Sequence, residues 1–147
     1  MTARADFTEE EWDTVLEAPT SAGMIVATAQ RGGSFREAFA MAKVYAEARQ
    51  QHGESELLDE IVAHRPEMAR ARSGSPEQFR EQGLERIRAA IALIQAKASE
   101  GELGDYRLFV TTVAKRVAEA KHERGAEGSV TDAESTAIAD VESAVSA

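Results

Sequence analysis

Three histidines and a surplus of carboxylates are the side chains in this 147-residue sequence with the makings of a metal site. Glu119-x-x-His122 has the spacing that sets two ligands on one helix face in di-iron bundles. Such bundles need that motif twice, plus two inward glutamates from other helices, and one copy is present. Glu60 and His64 also stand one helical turn apart, without the two-histidine zinc arrangement. Further along, Glu127, Asp132 and Glu134 offer oxygen ligands for a divalent cation, although the alternating ligands of an EF-hand loop are missing. The candidate metal ligands are therefore Glu119, His122, Glu127, Asp132 and Glu134. The plainer reading is solvated histidines beside surface glutamates, with Asp132 and Glu134 favouring the positive end of a helix dipole. A divalent metal is the one cofactor these residues suggest; otherwise none is expected.

A second constellation is Gln30-Arg31-Gly32-Gly33-Ser34, followed by Arg36. Free N–H groups at a helix start, flanked by Arg31 and Arg36, can hold a phosphate or carboxylate. The spacing is not that of a Walker loop, and an interhelical turn explains it equally: Gly32 and Gly33 stop one helix and Ser34 caps the next. Arg65, Arg70, Arg72 and Arg80 form a mildly basic stretch, offset by Glu67 and Glu77, which suits an acidic partner or plain solvent. No serine lies in a Gly-x-Ser-x-Gly context, and cysteine is absent, which removes thiol catalysis, disulfides and thiolate metal sites. The chain is expected not to be an enzyme.

The elements that would position these residues read as helices throughout. Residues 8–11 form a capping box, Thr-x-x-Glu, before a short helix with Trp12, Val15 and Leu16 on one face. Pro19 suits the first position of a second helix. Residues 20–30 carry no charge, so that helix is expected to be central, with Gly23 and Ala27 touching a neighbouring backbone. A helix from residue 34 to about 51 is predicted to bury Phe35, Ala38, Phe39, Ala42, Tyr45 and Ala46. A short helix with Leu57, Leu58, Ile61 and Val62 follows, then a loop near 71–75. Ser75-Pro76 starts a helix to about 99 with Phe79, Leu84, Ile87, Ile91, Ile94 and Ala98 inward. Residues 101–104 read as a tight turn and Asp105 as the cap of a helix whose stripe is Tyr106, Phe109, Val110, Val113 and Val117. Thr131-x-x-Glu134 caps the last helix, with Ile138, Val141 and Val145. No two-residue strand period competes. The expected fold is all-α: one domain over residues 1–147, with a flexible start at 1–6, as a compact bundle of six or seven helices around the charge-free helix.

Composition agrees with that class. Hydrophobic residues make up 43 % and aromatics 5 %, so the core must rest on small and aliphatic side chains. The net charge of −9 is unevenly spread: residues 1–17 and 126–147 each carry −5, and the middle +1. Acidic ends oppose a phosphate backbone, so nucleic acid is not an expected partner. No stretch approaches the roughly 20 apolar residues of a membrane span, and residues 1–11 are polar and acidic. The expected compartment is the cytoplasm.

Two groups of residues also carry a resemblance. Phe7-Thr8-x-Glu10-Glu11-Trp12, then Leu16-Glu17-Ala18-Pro19 and Ala22-Gly23-Met24, resembles an uncharacterised family of small bacterial all-helical proteins. The later Ala96-Lys97-Ala98, Val113-Ala114 and Val117-Ala118-Glu119-Ala120 agree with it. The closing Val130-Thr131-x-Ala133-Glu134 is distantly similar to tellurite-resistance protein B-like domains. That resemblance implies a helical fold, and it associates the chain with acidic metal sites and stress-response assemblies. Its motifs are mostly caps and apolar stripes, which specify a fold more than a chemistry. The function expected first is a helical module that binds a protein partner or itself; the second is a divalent-metal-binding stress-response protein.

Overall fold

The computed structural model describes residues 4–28, 35–50, 56–63, 76–122 and 132–146. After a 3-10 turn at Arg4–Asp6 come α1 (Glu9–Thr28), α2 (Phe35–Gln50), α3 (Glu56–Val62), α4 (Pro76–Lys97), α5 (Glu100–His122) and α6 (Asp132–Ser146). No strand occurs among the described residues, so the chain is all-α. α1 lies chiefly against α4 and α5, α2 against α5, and α6 against α4 and α5, while α3 packs on α2 and α5. The charge-free second half of α1 sits inside this bundle: Ala18, Ala22, Ile25 and Val26 are buried.

α1 is one helix where two were expected. Proline inside a helix removes the N–H that would bond the carbonyl four residues back, here that of Val15. The Tyr106 hydroxyl of α5 donates to that carbonyl at 2.7 Å in the buried interior. A side chain from another helix thus replaces the missing donor, and the helix runs on through Pro19. The buried polar groups nearby are satisfied too. Thr20 Oγ1 donates to the Glu17 carbonyl at 2.9 Å, and Ser21 Oγ accepts from Arg86 at 3.0 Å.

Close helix approach depends on two glycines. A methyl placed on Gly23 would lie 2.5 Å from Met41 Sδ of α2 and 3.2 Å from Val113 Cγ1 of α5. Gly23 therefore touches side chains from two helices, not the neighbouring backbone that was expected, and Ala27 is half-buried at the edge of the core. On α4, a methyl on Gly83 would come within 2.9 Å of Ile25 Cδ1.

The caps account for the boundaries. Thr8 and Glu11 form the expected reciprocal box, with Glu11 N donating to Thr8 Oγ1 at 3.2 Å and Thr8 N to Glu11 Oε1 at 2.8 Å. The expected turn over residues 101–104 is instead the first part of α5. Ser99 and Glu102 make a second capping box, with Glu102 N donating to Ser99 Oγ at 3.2 Å and Ser99 N to Glu102 Oε1 at 3.4 Å. Those bonds outweigh the poor helix propensity of Gly101 and Gly104. Neither α3 nor α6 has a basic residue in its last turn. Arginines from other helices supply it: Arg49 Nε donates to the Val62 carbonyl at 2.6 Å and Arg107 Nε to that of Val145 at 2.8 Å. α2 turns Met41, Val44 and Tyr45 inward, and leaves Ala42 and Ala46 exposed, contrary to expectation.

Candidate functional site

A concavity of about 270 Å³ lies where α2, α3 and α5 meet. One stripe of α5 forms its long wall: Asp105, Leu108, Phe109, Thr112 and Arg116, spaced by three or four residues. α2 contributes Val44, Glu47 and Ala48, also one face, and α3 contributes Leu58 and Asp59. The floor is apolar. Phe109 is nearly buried and meets the edge of Tyr45 with ring centroids 5.0 Å apart. Burial pushes the Tyr45 hydroxyl well above the ordinary tyrosine range, with Arg49 opposing that shift, so it is protonated at neutral pH.

Leu108 stands at the lip of this groove. It is 68 % exposed, the one large hydrophobic side chain among the described residues that faces solvent. The rim is charged. Arg116 Nη2 pairs with Glu47 Oε2 at 3.0 Å across the groove, while Asp59 and Asp105 add two further carboxylates.

A second, more open depression surrounds the start of α1 and is lined by Arg4, Phe7, Thr8, Glu9, Trp12 and Glu60. Arg4 N donates to Glu60 Oε2 at 2.5 Å, which ties the 3-10 turn to α3. Lys97, at the end of α4, fastens the same segment. It donates to the Asp6 carbonyl at 2.7 Å, pairs with Glu11 at 3.0 Å and lies 5.2 Å from the Phe7 ring centroid. The Glu11 carboxyl is held below the ordinary glutamate range, first by the Thr8 backbone N–H and then by Lys97. Trp12 packs on Phe7, and its buried Nε1 has no acceptor among the described residues.

Most of the sequence-predicted site residues lie outside the described residues. Of the metal candidates, Glu119 is exposed on α5. His122 ends α5 and Asp132 and Glu134 begin α6, but their side chains, and all of Glu127, lie outside the described residues. Among the described residues no three His, Asp or Glu side chains are grouped as metal ligands. Of the anion candidates, Arg31, Gly32, Gly33 and Ser34 lie outside the described residues, and Arg36 is on α2 with its side chain also outside them. His52 and His64 are outside as well.

The groove was not foreseen. One signal for it existed: Leu108 falls off the Tyr106–Phe109–Val110–Val113–Val117 stripe, so it is an apolar residue on a face with no core to enter. No known protein family, curated protein or solved structure matches the chain. No helix among the described residues is long and apolar enough to cross a membrane.

Proposed function

We propose that this chain is a non-enzymatic helical module that binds another protein, and that the groove between α2, α3 and α5 is its docking face. The observation that carries the reading is Leu108, exposed beside an apolar floor that includes Val44, Leu58 and Phe109. Isolated exposed leucines are common, but one that extends a concave apolar surface has the layout of an interface anchor with a polar rim. The ionisable side chains that are buried among the described residues are Tyr45 and Tyr106. Burial holds both hydroxyls protonated, and Tyr106 is committed to the Val15 carbonyl, so neither is poised for proton transfer.

Selection from a displayed peptide library against the immobilised full chain tests this reading, with Leu108→Ser as the counter-target. Ligands whose affinity falls at least about tenfold on Leu108→Ser are expected, since burying a leucine contributes that much or more. A selection yielding only ligands indifferent to Leu108, or none, overturns the reading.

A further inference from the structure

Every wall of the groove is helical, and along the α5 wall the backbone N–H and C=O groups are bonded within the helix. An extended segment laid there would find no sheet edge to pair with. A helix arrives with its own backbone satisfied and presents only side chains, which is the helix-in-groove mode of recognition.

The rim then selects a charge. Among the described residues that line the groove, Glu47 and Arg116 pair with each other at 3.0 Å, which leaves the carboxylate of Asp105 to set the sign of the rim. Asp105 is exposed on α5, three residues before Leu108, and makes no ion pair among the described residues. A second copy docked groove to groove would set Asp105 against its own counterpart on a chain already at −9. A cationic partner is drawn to the same rim, with faster association at low salt.

Resting on the docking face proposed above, we infer that its occupant is a basic amphipathic helix of another protein. An apolar side chain of that helix lies against Leu108 and Phe109. A Lys or Arg one turn away lies beside Asp105.

Two designed helical peptides with the same Leu/Phe stripe, one flanked by Lys and Arg and the other by Glu, test this by titration into the ¹⁵N-labelled full chain. The basic peptide is expected to shift the amide signals of Val44, Ala48, Leu108 and Phe109 saturably, and to bind at least about tenfold tighter than the acidic one. Its affinity should fall about fivefold on Asp105→Asn, the scale of one exposed ion pair, and further on Asp105→Lys. Equal binding of both peptides at the groove, lost on Leu108→Ser, overturns the charge selection and leaves the docking face standing. Absence of shifts at the groove with either peptide overturns both. Shifts by the basic peptide confined to the acidic ends overturn the inference as non-specific attraction. A dimer seen by light scattering for wild type, and lost on Leu108→Ser, identifies a second copy as the occupant and overturns it too.

Discussion

α5 borders two regions built on different terms. Towards α1 and α4 its side chains enter an interior where Val110, Val113 and Ala114 are fully buried, and where Tyr106 completes the backbone of another helix. Towards α2 and α3, one turn away on the same helix, Leu108 is left in solvent and the surface opens into the groove. In the first region there is little room: Gly23 admits no Cβ without moving Met41 or Val113. In the second, charged and apolar groups surround a space. A domain of this size is stabilised by roughly 5–15 kcal/mol in total. Leu108, largely exposed, buries too little apolar surface to add much to that total.

The contrast is broken most severely at Gly23. Gly23→Leu should destabilise by about 1–3 kcal/mol or more through overpacking, read as a lowered midpoint in chemical denaturation. A midpoint at or above wild type means that the α1–α2–α5 contact is looser than described.

Tyr106→Phe comes next. It leaves the Val15 carbonyl buried without a donor, at a cost of about 1–3 kcal/mol. Pro19→Ala restores the helical N–H, so the double variant Tyr106→Phe/Pro19→Ala should recover most of that loss. Additive losses in the double-mutant cycle would show that Tyr106 and Pro19 are not coupled.

A smaller effect is expected where Lys97 holds the N-terminal segment. Because the folded-state pKa of Glu11 is lowered, its contribution is fully present above the ordinary glutamate value of about 4.3. It is lost as the pH falls through the lower folded value. Glu11→Gln should therefore reduce stability at neutral pH and flatten the acid limb of the stability–pH curve. Parallel acid limbs for variant and wild type contradict the assignment of that shift to Glu11.

The legible and illegible parts of the chain divide along the same line. The stripes of α4 and α5, the Thr8–Glu11 cap and the charge-free segment were readable because periodicity and capping are local properties. The passage of α1 through Pro19 was not, because the donor that permits it comes from Tyr106, 87 residues further along the chain. α5 starts earlier than expected because the Ser99-x-x-Glu102 box holds its first turn despite Gly101 and Gly104. In α2, alanine gave a poor indication of facing: Ala42 and Ala46 fit the period but lie outside, while Met41 and Val44 lie within. The groove is the least legible feature, since it arises from three helices converging, and only the off-stripe position of Leu108 hinted at it.

Chemical denaturation of Leu108→Ser, run beside Tyr106→Phe, addresses the central distinction most directly. Surface substitutions away from packed or capped groups change stability by no more than about 0.5 kcal/mol. An unchanged midpoint for Leu108→Ser, with a clear drop for Tyr106→Phe, is the expected result. A loss for Leu108→Ser as large as that for Tyr106→Phe contradicts it, because Leu108 would then belong to the core and the groove would not be a surface held open for a partner.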